Sequence, residues 1–118
     1  MLVTYIYVYK LNNGCYYVGR TTRPHRRYNQ HETGKGSAWT RLHGGAVLVE
    51  CIPKTVKDED EADAAENIKT LQLMQRYGWQ KVRGGWFCGV DEVQTEKNLR
   101  HHGVFDLVAF PPPNPRIR

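Results

Sequence analysis

An α+β domain is the fold class this sequence predicts, an α/β sandwich in which a small central antiparallel sheet of three strands is flanked by helices. Three observations lead there. The chain opens on two short segments dense in β-branched and aromatic residues, joined by Asn12-Asn13-Gly14. A third apolar run, Ala46 to Ile52, supplies another strand. A long stretch with acids at its front and recurring apolar positions then reads as the main helix. With 118 residues there is room for one modest core and one domain.

Each element has a local reason. Thr4-Tyr5-Ile6-Tyr7-Val8-Tyr9-Lys10 predicts a strand over about 3–11, and Cys15 to Arg20 a second. Thr21-Thr22 caps a helix over about 23–32, with Pro24 tolerated in its first turn and Gly34 beyond its end. Lys35-Gly36-Ser37 is a basic loop, and Ser37 caps a short helix through Trp39 and Leu42. Gly44-Gly45 breaks the chain before the run 46–52, the best candidate for the central strand. The longest helix is expected over 58–77. Acids in its first turn complement the helix dipole, and Asp58 with Glu61 resembles a capping box. Ala62, Ala65, Ile68, Leu71 and Met74 form its apolar stripe, and Gly78 ends it. Residues 82–87 add a short strand around Gly84-Gly85, and a last helix is expected over 91–101. The domain is therefore expected to span 1–110, followed by an extended Pro-rich tail over 111–118.

Composition narrows the function classes. With 40% hydrophobic and 25% charged residues the chain reads as soluble. The apolar opening from Leu2 to Tyr9 is too short to span a bilayer and has no basic region before it, so it suits a strand better than a signal peptide. A cytoplasmic, non-secreted protein with no membrane partner is expected. Cys15, Cys51 and Cys88 form no CxxC pair, which argues against a zinc ribbon or a disulfide framework. The net charge of +5 is uneven. Residues 1–50 hold seven bases against two acids, 51–75 three against six, and 76–118 seven against four. Basic ends around an acidic middle suit a polyanion such as DNA or RNA, although ordinary solubility charge explains the same excess.

The chemistry-bearing residues begin with Tyr7 and Tyr17, one on each opening strand. Because side chains alternate along a strand, the turn decides whether they share a face. A two-residue Asn13-Gly14 turn would pair 10 with 17 and separate them. A three-residue turn with Gly14 left-handed pairs 9 with 17 and 7 with 19, which makes the two tyrosines diagonal neighbours. A shared site requires the second register, so that register is predicted. Arg27 and His31 then stand four apart on one helix face, with Arg23 a turn earlier. A guanidinium and an imidazole so placed can hold a phosphate and move a proton. The competing reading is a solvated basic face.

Taken in order, these residues resemble the GIY-YIG nuclease superfamily. Tyr5-Ile6-Tyr7 stands where the family has Gly-Ile-Tyr, and Tyr17-Val18-Gly19 where it has Tyr-Ile-Gly or Tyr-Val-Gly. Arg27-x3-His31 follows at the family's spacing, and Ala64-Ala65-Glu66 matches its acidic helix. The resemblance covers roughly residues 4–86. Each motif alone is weak, whereas the ordered set is specific. Lys35 to Thr40 is also similar to a loop of the structure-specific branches.

The resemblance implies a divalent-metal-dependent endonuclease acting on DNA, with single-stranded or branched DNA as a candidate substrate. Glu66 would hold one Mg²⁺ or Mn²⁺ ion, since a lone carboxylate suits a cation that keeps most of its water. Arg27 would stabilise charge on the pentavalent phosphorus. Tyr7 would activate or orient the attacking water. Tyr17 would bond the phosphate or Tyr7, and His31 would bond Tyr7 or relay its proton. Arg23, Lys35, Ser37, Trp39, Arg41, His43 and Lys81 are the expected substrate contacts. Trp39 has a competing role as a core anchor, while exposed Trp39, Trp79 and Trp86 would offer stacking surfaces for unpaired bases. The sequence departs from the family at two places. Tyr5 replaces a glycine, and Lys81 falls where the family often has Asn, a position at which a lysine cannot accept a hydrogen bond. That departure keeps open a second reading, a non-catalytic nucleic-acid-binding module on the same fold. A third, a structural protein with a coincidental Tyr-rich hairpin, leaves the ordered spacing unexplained. No separate DNA-reading segment is evident, which points to structural recognition or to a targeting partner protein. The residues do not fix the oligomeric state.

Overall fold

The computed structural model describes residues 1–24 and 37–109. Residues 25–36, which hold most of the helix expected over 23–32 with Arg27 and His31 as well as Lys35 of the basic loop, and residues 110–118 with the tail, lie outside the described residues. Among the described residues the strands and α-helices follow in this order: β1 (Leu2–Lys10), β2 (Tyr16–Thr21), α1 (Ala38–His43), β3 (Val47–Val56), α2 (Glu59–Tyr77), β4 (Val82–Gly84), α3 (Glu92–His101) and α4 (Phe105–Ala109).

The predicted hairpin register holds. Tyr7 pairs with Gly19 and Tyr9 with Tyr17. Leu11 N–H donates to the Cys15 carbonyl at 2.7 Å, which closes a three-residue loop of Asn12, Asn13 and Gly14. Gly14 is left-handed at φ 70° as expected, and Asn13 joins it at φ 63°, a conformation that asparagine tolerates better than most residues.

The sheet itself differs from the expectation. It has four strands in the order β3-β1-β2-β4, and its orientation is mixed. β1 runs antiparallel to both β2 and β3, whereas β4 runs parallel to β2. The run 46–52 is therefore not the central strand. It belongs to β3, which extends to Val56 and forms an edge. Pro53 lies within it, and a residue without an N–H is at home on an edge strand. Val47, Val49 and Ile52 are accordingly exposed.

Two cores lie on the two faces of the sheet. Odd-numbered residues of the hairpin (Tyr7, Tyr9, Leu11, Cys15 and Tyr17) pack with Trp39 of α1. Ile6, Val8 and Val18 face the other way, against Met74, Trp79, Val82, Phe87, Leu99 and Val108. At about 1.5–3 kcal/mol per buried large side chain, the second cluster does most to dock α2, α3 and α4. Of these α4 was not expected from the sequence.

The long helix begins as predicted, with the Asp58 carboxylate accepting from Glu61 N–H at 3.0 Å. Of its expected stripe, Ala62 and Met74 are buried and Ala65 and Leu71 pack against the core, whereas Ile68 is exposed and Asn67 and Thr70 are buried in addition. Close approach to β4 is the reason. A Cβ at Gly84 would strike both the Val18 carbonyl and the Thr70 hydroxyl, so the helix meets the strand through short polar side chains.

Candidate active site

The two tyrosines meet as the hairpin register requires. Their ring centroids lie 6.3 Å apart, and the Tyr7 ring packs edge-on against Tyr9 at 5.4 Å. Both are buried. The Tyr7 ring reaches from β1 across β2, so that its hydroxyl lies where a Cβ on Gly19 would be. Glycine at 19 is therefore a steric condition for the position of Tyr7.

Glu66 approaches from the opposite face of the sheet. It stands on α2, and its side chain is 15% exposed. On the hairpin it meets Arg20, which follows Gly19 and points to that face. Arg20 donates from Nε and Nη2 to Asp63 at 3.1 and 2.7 Å, and pairs with Glu59 at 2.9 Å and Glu66 at 3.9 Å. Burial alone would lower the Arg20 pKa, but the bonds to Asp63 and Glu59 outweigh it and raise it. One guanidinium is thus shared by three carboxylates, and its contact with Glu66 is the longest. A largely buried carboxylate on this helix fits a hydrated divalent cation held through Glu66. Among the described residues no group of three or more His, Cys, Asp or Glu side chains converges as a metal cage.

The two halves converge at one edge. β4 pairs with β2 only from Tyr16 to Val18, so that among the described residues no strand borders Gly19, Arg20 and Thr21 on that side. The Tyr7 hydroxyl over Gly19 and the Glu66 carboxylate beside Arg20 both approach this bare edge, one from each face.

The expected substrate contacts are dispersed. Arg23 is exposed, and its N–H is held by the Thr21 hydroxyl at 3.0 Å. Ser37 caps α1 by accepting from Thr40 N–H at 3.1 Å, and Arg41 is exposed on that helix. Trp39 is a core anchor, with its indole N–H on the Tyr16 carbonyl at 3.0 Å. Trp79 is buried as well, so of the three tryptophans only Trp86 is exposed. Lys81 lies at the hairpin tip, where its ammonium donates to the Asn13 carbonyl at 3.3 Å. It is level with the start of β2, whereas Arg20 and Glu66 mark the other end.

A cleft of about 310 Å³ opens beside Lys81, lined in part by Cys15, His43, Arg83 and Glu92. Burial raises the Cys15 pKa and lowers that of His43, with Lys81 and Arg83 depressing His43 further. Arg83 is 1% exposed. Its guanidinium donates to the carbonyls of Gly89, Trp79 and Val82 at 2.7, 2.8 and 2.9 Å and lies 4.3 Å from the Trp39 ring centroid. It therefore ties β4 to α1 and to the loop before α3. Arg83→Ala leaves buried carbonyls unpaired at about 1–3 kcal/mol each and opens a cavity. Chemical denaturation of the variant should show a loss of at least about 3 kcal/mol, and a loss below about 1 kcal/mol would refute the tie.

Comparison with known proteins bears on this arrangement. The family model of the GIY-YIG catalytic domain matches residues 1–77. The chain belongs to the GIY-YIG family. That family is one of nucleases, which makes a nuclease-type enzyme with a nucleic-acid partner the coarse reading. The matched segment contains both tyrosines, Gly19, Arg27, His31 and Glu66, whereas β4, α3 and α4 lie beyond it. Among curated relatives, the UPF0213 protein of Halalkalibacterium halodurans is 40% identical over 91 residues, covering 77% of this chain and 96% of its own. The UPF0213 protein of Enterococcus faecalis is 34% identical over 79 residues, with 66% and 90% covered. One from Streptococcus agalactiae is 49% identical over 76 residues, with 62% and 84% covered. No solved structure matches. Among the described residues no helix is long and apolar enough to cross a membrane.

Sequence reasoning misses two residues at this site, Arg20 and Asn67. Arg20 follows Gly19 in a segment that reads simply as strand. Asn67 accepts the Trp86 N–H through Oδ1 at 2.8 Å, and of the three tryptophans offered by the sequence as stacking surfaces only Trp86 keeps that option, the other two being buried. The spacing of acids at 59, 63 and 66 on one helix side was the available signal for a basic partner such as Arg20.

Proposed function

We propose that this protein is a divalent-metal-dependent endonuclease that hydrolyses phosphodiester bonds in DNA. The observation that carries the reading is the convergence of the Tyr7 hydroxyl and the Glu66 carboxylate on the bare β2 edge at Gly19–Arg20. Glu66 would hold one Mg²⁺ or Mn²⁺ ion, which supplies Lewis acidity and charge neutralisation at the phosphate when bound. Tyr7, fixed by the close fit over Gly19, orients the attacking water and takes its proton. Tyr17 bonds the phosphate or Tyr7. Arg27 neutralises charge on the phosphorus, and His31 bonds Tyr7 or relays its proton. Arg23, Lys35, Ser37 and Arg41 lie along the chain between β2 and the end of α1, where they suit contacts to the DNA backbone. Lys81 and His43 would touch the strand farther from the scissile bond, at the hairpin end.

The test is incubation of the purified chain with supercoiled plasmid, single-stranded DNA and branched DNA, in Mg²⁺ and in chelator. Mg²⁺-dependent cutting of at least one substrate is expected. Salt-sensitive binding without cutting would favour the non-catalytic module instead, a reading supported by the absence of the family's asparagine at position 81.

A further inference from the structure

Beyond the family-matched segment, the turn after β4 presents a feature that the chemistry at Tyr7 and Glu66 does not use. Gly84 and Phe87 exchange backbone hydrogen bonds at 3.0 and 2.8 Å, so that Gly85 and Trp86 form a two-residue tip. Gly85 has φ 52°, and a Cβ there would collide with the Asn67 amide. Trp86 is pinned on both sides of its backbone. Its N–H donates to Asn67 Oδ1 at 2.8 Å, and its carbonyl accepts from Asn98 Nδ2 at 2.8 Å. The His102 ring stacks on the indole at 4.7 Å and 23°, which holds its plane. Even so, Trp86 remains 55% exposed. Leaving a large aromatic in water on a backbone fixed this firmly has no structural return.

The position of the tip is as informative as its rigidity. β4 runs parallel to β2, and Gly84 is level with Val18. The turn tip therefore projects past the level of Val18, toward the end of β2 that carries Gly19 and Arg20. Asn67, which pins Trp86, is the neighbour of Glu66 in α2. A second donor waits in the same corner: Asn67 Nδ2 is buried and has no hydrogen-bond partner among the described residues. Trp39 and Trp79, by contrast, are enclosed in the two cores.

We infer that Trp86, backed by His102, is a stacking platform for one unpaired nucleobase of a DNA strand, next to the phosphodiester presented to Tyr7 and Glu66. The inference rests on the proposed nuclease reading for its choice of ligand. An indole face takes any base, so the platform selects for a base free to leave its stack rather than for sequence. In paired duplex the same face has nothing to receive. It follows that Trp86 is a specificity-determining residue that favours frayed, single-stranded or branched DNA.

The test separates this inference from the nuclease reading by measuring binding in chelator, where no cutting occurs. A set of short single-stranded oligonucleotides, each with one abasic site at a different position, is titrated against the full chain. One position should weaken binding by about 5- to 150-fold, because the phosphate remains and only the stacked base is gone. In Trp86→Ala that positional penalty should vanish, with intact and abasic strands bound alike, and Trp86→Phe should restore part of it. Circular dichroism checks that both variants fold. A flat abasic profile for the unaltered protein, absent binding, or the same penalty in Trp86→Ala would each overturn the platform. If the positional penalty appears but Mg²⁺ supports no cleavage, the platform stands and the nuclease reading falls. Cleavage with a flat profile has the opposite consequence.

Discussion

Glu66→Gln should leave plasmid, single-stranded and branched DNA uncut in Mg²⁺ while the protein stays folded. Glutamine keeps the length and shape of glutamate and removes the charge that would hold the cation. The rate should fall by about 10³-fold or more, at or beyond the upper end of what loss of one preorganised electrostatic contact costs an enzyme. Among the described residues, the contacts that start and dock α2 do not depend on that charge. Helix α2 is started by Asp58 and docked by Ala62, Thr70 and Met74, and Arg20 keeps its shorter bonds to Asp63 and Glu59. The change in unfolding free energy should stay within about 0.5 kcal/mol. Asp63→Asn is the informative comparison. It removes the closest Arg20 partner, at 2.7 Å, but not the proposed ligand, so cleavage should persist. Initial rates for the two variants, with melting followed by circular dichroism, decide the matter. Glu66→Gln within tenfold of the parent, or an equal loss in Asp63→Asn, would remove Glu66 from its role.

What could be read from the sequence follows the reach of each signal. The hairpin register was legible because it is set locally by Asn12-Asn13-Gly14 and constrained by the requirement that two tyrosines share a face. The start of α2 was legible for the same reason, since Asp58 caps a helix whose acids follow at once. The mixed sheet was not legible. Nothing in Val82-Arg83-Gly84 states its partner, and its parallel pairing with β2 joins segments far apart in the chain. The edge position of β3 was available in Pro53, but the apolar run before it drew the opposite conclusion. Ile68 misled in the same way. Its hydrophobicity placed it in the stripe, whereas the tight approach of α2 to Gly84 selected Thr70 and Asn67. At the site, the motif residues were readable as an ordered set, while their arrangement was not. That Tyr7 and Glu66 reach one strand edge from opposite faces depends on β4 stopping at Gly84, and that depends on a turn pinned by Asn67 from the far helix.

Gly19→Ala should inactivate the protein through Tyr7 without touching a charged group. A methyl at 19 would occupy the space of the Tyr7 hydroxyl and ring end. The backbone does not oppose alanine there, since Gly19 is not among the glycines with positive φ. The conflict falls on the ring, and Tyr9 and Tyr17 pack beside it at 5.4 and 6.3 Å and limit its retreat. Overpacking of this kind should cost about 1–3 kcal/mol of stability. A displacement of even about 1 Å at the reacting group should lower kcat by about 10²-fold, with DNA binding in chelator little changed. Gly14→Ala supplies the contrast. Its φ of 70° strains an alanine, but nothing lies within 4 Å of the new methyl, so stability should fall and kcat should not. A double-mutant cycle then separates an effect on the hydroxyl from general damage. If Gly19→Ala acts by moving the Tyr7 hydroxyl, it should lower activity little further in a Tyr7→Phe background, where that hydroxyl is already gone. Two losses that multiply in full would mean that Gly19 serves the fold alone and that its fit under Tyr7 has no part in the chemistry.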